Sequence, residues 1–156
     1  MKKISISLLM ALSVSTVWAI TPEQLIGNWQ CKSSDETEMT FSFANDKGLE
    51  SSVNLKIPND DGSFLLYRIG MKGTWLLKGQ QVFLDARFNQ VDRIHTELKS
   101  ELAKQTDEWM FSELQGDVQR RKSEKSYLQV EQIKDKQMTA YVTGNESDKL
   151  SCIKSN

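Results

Sequence analysis

Two cysteines, a single histidine and a pair of adjacent aspartates carry most of the reactive chemistry available to this chain. Cys31 and Cys152 lie near its two ends, far outside the C-x-x-C spacing of a redox or zinc motif. In an oxidising compartment such an isolated pair forms a disulfide. A bridge between them brings their Cα atoms within about 7 Å, which makes the strands that carry them neighbours. His95 has no second histidine at a ligand spacing, and no G-x-S-x-G elbow offers it a nucleophile. Asp60 and Asp61 fall in the run Pro58-Asn59-Asp60-Asp61-Gly62, where adjacent side chains diverge and turn chemistry accounts for both. The expectation is therefore no metal, no cofactor and no catalytic site, with His95 an exposed or half-exposed residue at an element boundary.

The N-terminus reads as an export signal. Lys2 and Lys3 precede an apolar stretch from Ile4 to about Val14, and Val17-Trp18-Ala19 supplies a cleavage site. The stretch is shorter than the roughly 20 apolar residues that span a bilayer. The expected organisation is a signal peptide over 1–19 and a single domain over 20–156, periplasmic or secreted, with no integral membrane segment in the mature chain. Loss of Lys2 and Lys3 moves the net charge of −1 further negative. A nucleic acid or an anionic membrane needs a basic field, so neither is an expected partner. The short run Arg120-Arg121-Lys122 is broken by Glu124 and flanked by Asp117, as a solvated loop would be.

Alternation dominates the rest. A capped turn at Thr21-Pro22-Glu23-Gln24 leads into a strand that sends Trp29 and Cys31 to one side. Met39, Phe41 and Phe43 share the next face; Val53, Leu55 and Ile57 share the one after. Phe64 to Ile69 is a more continuous apolar run, and Gly70 and Gly73 mark a bulge or sharp bend before Trp75. Val82, Leu84, Ala86 and Phe88 alternate again. From about Thr96 to Gln115 the period becomes helical, with Leu98, Leu102 and Trp109 on the predicted inner face and Gly116 as the stop. Alternation returns at Leu128 and Val130, at Met138, Ala140 and Val142, and in a closing strand at Leu150, Cys152 and Lys154. Short turns between successive strands mean an antiparallel meander. Joining the first strand to the last closes it into a mainly β, up-and-down barrel of about eight strands, with a helical insert before the last three.

Three motifs give this pattern a family likeness. Gly27-Asn28-Trp29 follows a helical turn, Gly73-Thr74-Trp75 precedes the turn Lys78-Gly79-Gln80, and Cys152-Ile153-Lys154 closes the chain. Together they resemble the bacterial lipocalin-like branch of the calycin barrels. The resemblance implies structural roles for Gly27 and Trp29, with Lys154 as the basic residue over the N-terminal tryptophan. It departs from the family in having lysine rather than arginine there and in placing the helix before the last three strands.

Two functions follow from the barrel reading. A carrier would hold a small apolar or amphipathic ligand among Phe41, Phe43, Leu55 and Trp75, with the Trp109 helix at the mouth. A protein-binding module, whether exported inhibitor, immunity-like protein or envelope assembly factor, would have a filled core and use Trp109, Met110 and Phe111 as its contact.

Overall fold

The computed structural model describes residues 19–155; residues 1–18 of the expected signal peptide lie outside the described residues. A single turn, α1 (Pro22–Leu25), precedes β1 (Gly27–Lys32), β2 (Glu38–Phe43), β3 (Gly48–Pro58), β4 (Phe64–Lys78) and β5 (Gln81–Arg93). The helix α2 (Glu101–Gln119) follows, and then β6 (Ser123–Lys134), β7 (Gln137–Val142) and β8 (Lys149–Ser155). Each strand pairs antiparallel with the next, and β8 returns to β1, so the eight strands form a closed up-and-down barrel.

Strand parity builds the core. Trp29, Phe43, Trp75, Val82, Leu128, Val130, Met138 and Leu150 point inward and are almost fully buried. Gln30, Thr40, Glu50 and Lys72 occupy the outward parity on neighbouring strands and meet water. α1 contributes Leu25 to the same core, together with Ile20 just before it. Its capping box forms as the sequence predicts, with Pro22 at the first helical position.

Closure is covalent as well as hydrogen-bonded. Cys31 and Cys152 are direct partners in the β1–β8 register, with Cα atoms 4.0 Å apart, and their sulfurs are bonded. No cysteine among the described residues is free.

Three strands outgrow the barrel. β3, β4 and β5 run for 11, 15 and 13 residues, and β6 pairs with β5 only from Gln81 to Arg87. Among the described residues no strand pairs with the protruding part of β5 on its far side, and α2 packs there instead. Phe64–Lys78 is one continuous strand, not two separated at the glycines. The irregularity is a bulge between Gly70 and Met71, opposite which β5 carries the extra residue Asn89. The extra residue reverses the parity of β5, which brings Val91 and Arg93 opposite Ile69 and Tyr67. Gly73 has another role: a Cβ there would lie 2.0 Å from the Asp85 carbonyl oxygen, so only glycine lets the two backbones approach.

The helix differs from its predicted span and face. Residues 96–100 are not helical, Ser100 caps the first turn by accepting from the Ala103 N–H at 3.0 Å, and the helix continues through Gly116 to Gln119. Chain reversal falls at Arg121, with φ of 50°. The packed side carries Ala103, Asp107, Met110, Phe111 and Leu114, while Leu102 and Trp109 face out. Leu98 is buried, but it lies before the helix.

Two outcomes follow from this architecture. Thiol titration of the unfolded, unreduced protein is expected to find no free sulfhydryl. Reduction removes the link across 121 positions. It should lower Tm, with about 5 kcal/mol as the upper bound of the loop-entropy effect. Trp29→Ala removes the largest inward side chain of β1 and should cost about 3–5 kcal/mol in denaturant unfolding; a cost below about 1 kcal/mol would mean that Trp29 is not a core anchor.

Candidate functional site

The three residues singled out for structural roles meet at one corner of the barrel. Trp29 pairs with Lys154 across β1 and β8, and the lysine Nζ lies 5.2 Å from the centre of the indole. The same Nζ donates to the Gln24 carbonyl at 3.1 Å, while Trp29 Nε1 donates to the Leu25 carbonyl at 2.7 Å. Gly27 has φ of 126°, and a Cβ there would come within 2.6 Å of Lys154 Cε. The glycine thus leaves room for the lysine stem to cross the tryptophan, and the ammonium caps both ring and turn.

The five residues named for ligand contact do not form one wall. Phe41, Phe43 and Trp75 come together inside the barrel: the phenylalanine rings stack at 5.9 Å, and Phe43 meets Trp75 edge-on at 5.5 Å. Trp75 is anchored further by its Nε1, which donates to the Ala44 carbonyl at 3.1 Å, and by Lys47 over its face. Leu55 belongs to a second apolar cluster beneath α2, with Leu65, Tyr67, Val91 and Phe111. Trp109 stands on the opposite side of α2 with 62% of its surface exposed.

A polar cluster that the sequence reading did not assemble lies under the same helix. Asp107 points down from α2, and its carboxylate accepts from Tyr67 Oη at 2.7 Å and Arg93 Nε at 2.8 Å. His95 Nε2 faces it at 3.4 Å, and His95 Nδ1 lies 3.1 Å from both the backbone N and O of Leu66. His95 thus lies half-buried at the boundary after β5, as expected, with its side chain 8% exposed. Phe111 covers the cluster, with the Arg93 guanidinium carbon 3.8 Å from its ring centre. Burial first, and then the hydrogen bond and charge of Asp107, push the Tyr67 hydroxyl well above the ordinary phenol pKa.

This arrangement reads chemically as a clamp. The carboxylate is held by a phenol and a guanidinium, and among the described residues no serine, threonine or cysteine side chain is hydrogen-bonded to His95. Among the described residues no buried side-chain nitrogen or oxygen lacks a partner, and no group of three or more His, Cys, Asp or Glu is placed to hold a metal ion. A sequence signal for the clamp did exist: Asp107 shares a helical face with Ala103, Met110, Phe111 and Leu114, an acid set in an apolar stripe.

No family model matches the chain, and no curated protein is similar to it. A solved structure of an uncharacterized protein from Bacteroides eggerthii is similar at 15% identity with a TM-score of 0.39, covering 83% of this chain and 98% of that one. Among the described residues no helix is long and apolar enough to cross a membrane.

Removing the carboxylate leaves a buried phenol and a guanidinium without their shared partner. Asp107→Ala is expected to destabilise by about 2–3 kcal/mol, the lower end for a buried ion pair because Arg93 is partly exposed. Hydrogen exchange should speed up in α2 well before β6–β8. The raised Tyr67 pKa has a signed consequence. Above the ordinary phenol value of 10.0 the unfolded state releases a proton that the folded state keeps. The stabilisation is thus complete below that pH and declines as pH rises above it. Tyr67→Phe should flatten this alkaline decline in a series of pH-dependent melts.

Proposed function

We propose that this chain is an exported, lipocalin-like barrel that acts without catalysis as a protein-binding module, with the outer face of α2 as its contact surface. One observation carries the reading: Trp109 and Leu102 stand two turns apart on the same side of α2, 62% and 61% exposed, above a helix whose inner face is clamped. A large rigid aromatic on a fixed helix is the kind of residue that dominates protein–protein contacts. Glu108 and Glu113 flank it, so the partner that fits presents an apolar pocket with a basic rim.

The filled interior supports this reading over a carrier. Trp29, Phe43 and Trp75 occupy the middle of the barrel with Leu128, Val130 and Met138, and these side chains pack on one another. Export rests on the disulfide, which persists where thiols are not kept reduced, and on the leader-like residues 1–19. The corner formed by Gly27, Trp29 and Lys154 supports the lipocalin-like assignment.

A photo-crosslinking amino acid at position 109, expressed in the native host, is expected to give a discrete adduct that the same group at Lys125 does not give. Trp109→Ala should change stability by less than about 0.5 kcal/mol, as surface substitutions do. Wild-type protein should not bind a fluorescent fatty-acid probe. Saturable probe uptake lost in Phe43→Ala, with no adduct at 109, would replace this reading with the carrier.

A further inference from the structure

The outer face of β1–β5 carries a feature separate from α2. Outward positions on successive strands line up by register: Gln30 faces Thr40, Thr40 faces Ser52, Ser52 faces Gly70, and Gly70 faces Gln90. The row crosses five strands. At the usual inter-strand spacing it is about 20 Å long. Every side chain in it is short or neutral, and Gly70, beside the bulge, has none. Longer charged side chains flank it on both sides. Glu50 and Lys72 pair at 2.9 Å along one edge. Along the other, Arg68 donates to Asn54 at 3.3 Å and Asn54 donates to Glu38 at 3.0 Å. The result is a trough made of two adjoining hollows of about 530 and 590 Å³, which share Gln30, Thr40, Ser52 and Arg68. Ile153, 62% exposed, stands at its β8 end opposite Gln30.

We infer that this trough is a binding site for an uncharged, polyhydroxylated chain, an oligosaccharide laid across the strands. The floor offers amides and hydroxyls, which both donate and accept, as a polyol requires. Thr40 Oγ1 and Ser52 Oγ already lie 2.8 Å apart and can each turn outward to a ligand hydroxyl. Glu50 pairs with Lys72, Arg68 and Glu38 both bond to Asn54, Lys32 pairs with Glu36 and Asp92 accepts from Gln90, so each charge along the trough is already engaged. The row itself carries no aliphatic or aromatic side chain; the apolar surface of the second hollow comes from Met39, Cys31 and Ile153 beside it. Ile153 gives one apolar side chain against which the C–H face of a terminal sugar can rest.

The test is a titration of ¹⁵N-labelled full-length mature protein with chitohexaose and cellohexaose as neutral probes, oligogalacturonate as the anionic one, and an uncharged Ser/Ala peptide as a polypeptide control. A neutral saccharide is expected to shift the amides of Gln30, Thr40, Ser52 and Gly70 saturably, with Kd below about 1 mM. Ser52→Arg places a long charged side chain in the floor at an outward position. It should weaken that binding at least tenfold with an unchanged Tm, and the paired variant Gln30→Ala with Thr40→Val should do the same by removing polar atoms. The inference is overturned if neither neutral saccharide shifts the trough, if oligogalacturonate or the peptide binds as well or better, or if both variants keep wild-type affinity.

Discussion

The pairing of β8 with β1 is the contact on which the other features rest. An eight-stranded meander without it is a curled sheet with two open edges, each a row of unpaired backbone groups exposed to other chains. The pairing satisfies those groups and sets Trp29 beside Lys154 and Cys31 beside Cys152 in one register. The disulfide then holds together two ends separated by nearly the whole described chain, limiting the conformations open to the unfolded state. A slip of one residue would send Trp29 outward and part the sulfurs, so covalent and hydrophobic constraints select the same register.

Closure also accounts for the helix. The barrel takes up only part of β3, β4 and β5, and their excess length leaves an apolar surface that must be covered. α2 covers it, and the Asn89 bulge turns Arg93 to the face where the helix carries Asp107. A buried ion pair of this type adds little net stability over an apolar contact of the same shape. Its value is positional: Tyr67 and Arg93 converge on one carboxylate and fix which turn of the helix sits over which strand. That fixed rotation leaves Trp109 and Leu102 on the solvent side.

Two surfaces of the molecule thus have different chemistry. The outer face of α2 sets Leu102 and Trp109 among acidic and polar side chains. The trough across β1–β5 is neutral and rich in hydroxyl and amide groups. Both are rigid, because one lies on a clamped helix and the other on the wall of a closed barrel.

Much of this fold was legible in the chain itself. Alternation at Trp29/Cys31, Phe41/Phe43, Val82/Leu84 and Leu128/Val130 marks inward and outward positions, because strand geometry repeats every two residues regardless of what the strand meets. The two cysteines named the strands that close the barrel, since a disulfide carries its own distance requirement. Gly70 and Gly73 signalled an irregularity but not its register, which depends on Asn89 in another strand. The helix was visible as a change of period, yet its buried side was not. Leu102 and Trp109 are the larger apolar residues, and hydrophobicity alone turns them inward. The side that packs is the one carrying Asp107, because Tyr67 and Arg93 wait beneath it, 40 and 14 positions away in sequence. His95 lies half-buried at the strand–helix boundary as expected, but its contacts were hidden for the same reason. A polar side chain reads as solvated until its partners are known, and those partners are brought to it only by strand register and the bulge. Tertiary structure alone decided which polar groups are satisfied inside, and therefore which apolar ones remain exposed.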